Sequence, residues 1–179
     1  MLTVINFVTF QLAWFACVLG AAYELDWLGP AFLIVYLPIH LILFKSLKDD
    51  MQLLVIAIAV GFIVDCALVL SGAMSFPLDP ASLYYQPFWM AALWGNFALT
   101  LRHSLAWLTP KPLLATAFGA LGGPAAYFAG DRLGALIVEE QLWYSLLLVG
   151  VAWAAASWLL FYLADQTPLE PKHPEPEPI

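Results

Sequence analysis

Charge is what this sequence lacks. Of its 179 residues 11% are Asp, Glu, Lys or Arg, against about 25% in an ordinary soluble domain. Only six are Lys or Arg, and they form no cluster. Nothing is therefore available to grip phosphates, which excludes a nucleic-acid partner and electrostatic recruitment to anionic lipid. The two cysteines, Cys17 and Cys66, are too few for a disulfide scaffold, and no Cys-x-x-Cys is present. Disorder and a coiled coil fail for want of polar residues. The remainder is apolar: 63% hydrophobic and 15% aromatic, with a mean hydropathy of +0.86. Such a chain cannot cover a globule in water and takes a bilayer as its solvent. The net charge of -7 comes from 13 acids against six bases. Asp165, Glu170, Glu175 and Glu177 place much of that acidity at the end of the chain.

A spanning helix needs about 20 mostly apolar residues, because the hydrocarbon is about 30 Å thick and a helix rises about 1.5 Å per residue. Six stretches meet this requirement, at 4–23, 27–44, 51–71, 87–108, 113–130 and 143–164. The expectation is an all-α polytopic membrane bundle of six transmembrane helices over residues 1–165, followed by a disordered Pro/Glu-rich tail over 166–179. The first stretch has no basic residue at its start and exceeds a signal-peptide core, so it reads as a retained helix. The longest connection, 72–86, holds Pro77, Pro80 and the pair Tyr84 and Tyr85, and is expected at the membrane surface.

Six spans put both termini on one side. Lys45, Lys48, Lys111 and Lys172 share that side, whereas the opposite loops carry Arg132 among Glu24, Asp26, Asp79, Asp131, Glu139 and Glu140. The positive-inside bias then makes both termini cytoplasmic. Trp27, Trp89, Trp107 and Trp143 fall at span ends, where indoles favour the headgroup layer.

Polar side chains inside the spans need a partner or a role. By estimated depth they form two layers. Asn6, His40, Arg102 and His103 lie in the inner third, Gln11 and Asn96 near the middle, and Asp65 in the outer half. Arg102 is expected to snorkel to the headgroups, its nearest carboxylates being the loop residues Asp49 and Asp50. His40 and His103, with no carboxylate at their level, read as hydrogen-bonded histidines rather than a metal site. Asp65, flanked by apolar turns, is either a structural clamp or a proton, cation or ligand site, with Asn96 and Gln11 as its expected partners. Asn96, Thr100 and His103 recur at helical spacing and would line an internal wall, with Arg102 pointing elsewhere. Cys17 and Cys66 read as inert small apolar groups.

The fifth stretch carries Gly122, Ala126, Gly130 and Gly134 at every fourth position, a smooth stripe for close helix packing. Pro124 removes a backbone donor and clashes with the Ala120 carbonyl, predicting a kink or opening near Gly122 and Gly123. Tyr127 follows one turn later.

Three blocks, residues 6–20 (NFVTFQLAWFACVLG), 87–104 (PFWMAALWGNFALTLRHS) and 122–130 (GGPAAYFAG), resemble the bacterial domain of unknown function 2878 family. The resemblance covers nearly everything except the tail. It implies small inner-membrane proteins associated with lipid-modification and stress functions, with membrane lipid or a lipid-modifying enzyme as partner. The matching motif residues are Asn6, Gln11, Trp14, Asp65, Trp94, Asn96, Arg102, His103, Gly123, Pro124 and Tyr127, and no catalytic role comes with them.

The reading that follows is a non-enzymatic protein binding a small lipophilic molecule or lipid through Gln11, Trp14, Asp65, Trp94, Asn96, His103, Pro124 and Tyr127, with no cofactor and no metal. Three alternatives stay open. They are an intramembrane lipid-modifying enzyme using His40, His103 and Asp65, a proton- or ion-coupled transporter working through Asp65, and a scaffold or homo-oligomer docking through the small-residue stripe.

Overall fold

The computed structural model describes residues 1–76, 85–139 and 141–166. The expected tail and most of the expected surface loop, including Pro77, Pro80 and Tyr84, lie outside the described residues. Apolar runs without an interior proline give the helices α1 (Leu2–Ala22), α3 (Leu47–Leu70) and α6 (Leu142–Asp165). Between them are α2 (Leu28–Phe44), α4 (Phe88–Leu101) and α5 (Pro112–Leu133). Pro112 opens α5, where its missing N–H costs nothing, and Gly134 closes it at φ 85°, a left-handed conformation that suits glycine.

Four of the six helices, α1, α3, α5 and α6, are long and apolar enough to cross a membrane. The other two are shorter, at 17 residues for α2 and 14 for α4. At about 1.5 Å per residue α4 extends for only about 21 Å. The helix expected to reach residue 108 stops at Leu101, and a 3-10 turn, Ala106–Leu108, follows. A short α4 is tolerated because it is the central helix. Every residue from Trp94 to Leu101 is buried, and α4 packs against α1, α2, α3 and α6. The outer helices carry the exposed apolar side chains, among them Ile34, Ile42, Ile63, Leu121 and Val151. Water would disfavour that surface and lipid accepts it.

Two short strands, which the sequence did not signal, close one end of the bundle. β1 (Met74–Ser75) pairs antiparallel with β2 (Ile137–Val138), Met74 opposite Val138 and Ser75 opposite Ile137. The ladder ties the segment after α3 to the segment after α5, so those helices end at the same face. At the other face Asn6 near the start of α1 donates to the Leu99 carbonyl at 2.9 Å, and its side-chain oxygen accepts the Ser104 N–H at 3.1 Å.

Three expectations from the sequence do not hold in the fold. Trp27, Trp107 and Trp143 are exposed at helix ends, but Trp89 is buried at 3% exposure, edge-on to Phe76, so it belongs to the core. The α5–α6 seam uses Gly119 and Gly123 rather than the predicted stripe. A Cβ on Gly123 would come within 2.3 Å of the Trp153 ring, and one on Gly119 within 2.1 Å of the Ser157 hydroxyl, whereas one on Gly122 would meet nothing within 4 Å. Finally, α5 is one uninterrupted helix from Pro112 to Leu133, with no opening at Gly122–Gly123. The Ala120 carbonyl that Pro124 cannot pair lies against α6 at Gly150, where an added Cβ would be 3.1 Å away. Protein rather than lipid covers it, which is the condition for keeping such a carbonyl at membrane depth. Cys17 and Cys66 are both free thiols, and Cys17 packs against Gly29 of α2.

Candidate functional site

Helices α1 and α5 meet only sparsely. Between them lies a cleft of about 310 Å³ whose floor is α4 and whose far side is α6. From α1 it is lined by Phe7, Gln11 and Trp14, and from α4 by Trp94, Phe97 and Thr100. The α5 wall is the stripe Gly122, Ala126 and Gly130, with Tyr127 beside it. Small residues every fourth position therefore leave room for the cleft instead of admitting another helix. Phe7 and Phe15 on one lip are about half exposed and Gly122 on the other is exposed, so the cleft opens on the apolar outer surface of the bundle. Its polar edge is sparse. Thr100 turns its hydroxyl to its own helix, donating to the Phe97 carbonyl at 2.6 Å. The buried Ser104 hydroxyl, which also lines the cleft, has no hydrogen-bond partner among the described residues.

Behind the aromatic floor sits Asp65 of α3, fully buried. One carboxylate oxygen accepts the Trp94 indole N–H at 2.8 Å and the other accepts the Tyr127 hydroxyl. Trp94 in turn stacks on Trp153 of α6, with ring centroids 4.3 Å apart and planes 19° from parallel. Gly61, one turn before Asp65, leaves the space for this indole, since a Cβ there would fall 2.1 Å from it. A carboxylate at membrane depth is retained because two donors from two other helices meet it, which joins α3, α4 and α5 at one point. Asn96 is not its partner. The Asn96 amide donates to the Phe10 carbonyl of α1 at 3.1 Å instead. Gln11 stays exposed on the cleft lip and does not reach Asp65.

The second polar layer is denser than the sequence suggested. Asp50, in the first turn of α3, is 2% exposed. Its Oδ2 lies 2.9 Å from His40 Nε2 and 2.7 Å from His103 Nε2, and it accepts the Ser46 hydroxyl. His40 Nδ1 is 3.2 Å from the Tyr36 hydroxyl. Arg102 does not snorkel. It is 4% exposed, with Nη1 3.1 Å from Asp49 and 3.7 Å from Asp50 Oδ1. The expectation that the histidines have no carboxylate at their level fails because α3 begins four residues earlier than its apolar run, which carries Asp50 inside. The single-wall arrangement of Asn96, Thr100 and His103 also fails. The helix ends before His103, whose ring joins Arg102 in facing Asp50.

Of the residues singled out by sequence, Gln11, Trp14, Trp94 and Tyr127 line the cleft together. Asp65 lies behind it, Asn96 braces α1, His103 belongs to the inner cluster, and Pro124 faces Gly150. Asp50, Ser104 and Trp153 were missed as site residues. For Asp50 a signal existed in the acidic pair that opens an apolar run, a common composition for a helix start. No curated protein and no solved structure matches this chain. The family described as "Protein of unknown function (DUF2878)" matches residues 3–159, which spans all six helices up to the last turns of α6, and the chain belongs to that family.

Proposed function

We propose that this is a six-span inner-membrane protein, with both termini cytoplasmic, that takes a lipid chain or small lipophilic molecule sideways from the bilayer into the cleft between α1 and α5. The observation that carries this reading is the cleft itself: an aromatic and glycine-lined space of about 310 Å³ that opens on the apolar surface. Its size is at the lower end of ligand pockets, about 300 to 1,000 Å³. A molecule arriving from lipid gains nothing from the hydrophobic effect, since it leaves one apolar solvent for another. Selection must come from close packing on rigid rings and from a few polar contacts. The stacked Trp94 and Trp153, fixed from behind by Asp65, supply the rigid surface, and the Ser104 hydroxyl supplies a donor for a polar head at the inner end. All six helices crossing accords with the alternation of helix ends, and the lysines Lys45, Lys48 and Lys111 lie at the end where Asn6 meets Ser104. Membrane lipid is the partner this reading requires, and an accessory part in lipid modification or stress response is the role it fits.

The test is native mass spectrometry of the protein released gently from its membrane, compared with Gly122→Phe, which fills the cleft from a position with open space around it. Retention of a lipophilic adduct by the wild type and its loss in the variant is the expected result. Equal adducts in both, or none in either, would remove the cleft from consideration.

A further inference from the structure

We infer that His40, Asp50 and His103 form a binding site for one divalent transition-metal ion at the cytoplasmic ends of α2, α3 and α4. The three ligand atoms, two Nε2 and one Oδ2, lie within 4.8 Å of one another. They come from three separate elements and converge on one small volume. Three side chains, Ser46 included, address a single oxygen while Oδ1 of the same carboxylate faces Arg102. The two imidazole Nε2 atoms and Oδ2 thereby border one small space that a single cation can share.

The chemistry of the set narrows the ion. Two imidazoles and one carboxylate suit zinc, iron(II), manganese(II) or cobalt(II), while calcium and magnesium prefer oxygen throughout and copper(I) prefers sulfur. Neighbouring ligands of a tetrahedral zinc with bonds of about 2.0 to 2.2 Å sit ~3.4 Å apart. The observed separations of 2.7 and 2.9 Å are shorter than that, so the side chains must part to admit the ion. Outer contacts are also in place. His40 Nδ1 faces the Tyr36 hydroxyl at 3.2 Å, the kind of partner that orients a metal-bound imidazole. Arg102 lies nearer to Asp49, at 3.1 Å, than to Asp50 Oδ1, at 3.7 Å, and on the carboxylate oxygen that the imidazoles do not use. The Phe44 ring lies 4.6 Å from the His40 ring and 4.2 Å from the His103 ring and shields both. Three protein ligands leave at least one position for water or another small ligand.

The experiment uses the full-length chain in detergent, with any purification tag removed and His173 replaced by Ala, so that His40 and His103 are the remaining histidines. After chelator treatment, Co²⁺ binding is followed by its visible absorption and Zn²⁺ binding by competition with a chromogenic chelator. One equivalent of Co²⁺ per chain, displaced by Zn²⁺, is expected. His103→Gln and Asp50→Asn should each weaken Zn²⁺ binding by ~100-fold or more, and Tyr36→Phe by ~10-fold. Absence of Co²⁺ absorption and of Zn²⁺ competition in the folded protein overturns the site and leaves the cluster as a hydrogen-bonded clamp. Undiminished affinity in His103→Gln overturns it as well, because the ion would then sit elsewhere. If the ligand variants do not fold, the Co²⁺ titration of the parent chain and the Tyr36→Phe comparison decide. Neither result depends on whether the α1–α5 cleft holds a lipid.

Discussion

Trp94 of α4 donates its indole N–H to Asp65 of α3 at 2.8 Å, with neither side chain more than 1% exposed. The bond couples the cleft floor to a helix that does not line the cleft, so the aromatic surface and the buried acid are one structural unit. Replacing Asp65 with Ala strands two buried donors, Trp94 and Tyr127, and is expected to lower stability by roughly 2 to 5 kcal/mol. Asp65→Asn, which keeps an acceptor oxygen, should lose less. Unfolding of the purified protein in detergent, followed by circular dichroism, checks both, and an unchanged midpoint for Asp65→Ala would contradict the clamp.

Adjacent glycines on α5 should behave oppositely. Gly123→Ala drives a methyl into the Trp153 ring and is expected to destabilise by about 1 to 3 kcal/mol. Gly122→Ala points into open space and should be nearly neutral. Gly61→Ala, directed at Trp94, should resemble Gly123→Ala. The same unfolding measurement ranks the three variants, and a Gly122→Ala as damaging as Gly123→Ala would place the helix seam on the stripe after all.

The inner cluster makes Arg102 structural. Arg102→Met removes the cation beside a carboxylate that is 2% exposed and is expected to cost about 3 to 5 kcal/mol. Asp49, whose side chain is 37% exposed, should matter by no more than about 1 kcal/mol when changed to Ala. A small effect of Arg102→Met on the unfolding midpoint would instead favour a snorkelling side chain.

Crossing number can be read by labelling. In a background lacking Cys17 and Cys66, Lys48→Cys and Lys111→Cys are expected to react with an impermeant maleimide from one side of the membrane and Arg132→Cys from the other. Because α4 has only 14 residues, it is the helix this experiment probes. Finding Lys48→Cys and Lys111→Cys on opposite sides would mean that α4 does not complete a crossing.

Apolar length located all six helices, and for α2 the predicted stretch ends where the helix does, at Phe44. It failed at residue 101. The run continues through Leu105, Ala106 and Trp107, and hydropathy does not register that Arg102 and His103 turn out of the helix toward Asp50. The sequence also pointed to Asp65, Trp94 and Tyr127 as residues needing explanation. It could not pair them, because 29 and 62 residues separate Asp65 from its two donors.

Solvent, element type and family were all legible from composition and local pattern. Where backbone groups have no water to bond to, long apolar runs must become helices. Which faces meet depends on packing between helices. That packing turned Asn96 to α1 rather than to Asp65, set Gly123 against Trp153 while leaving Gly122 open, and brought Asp50 between His40 and His103. The reason is physical. Within an apolar chain every helix face is nearly as greasy as the next, so periodicity carries little orientation. The rotation of each helix is fixed instead by a handful of polar contacts and close approaches between residues far apart in sequence.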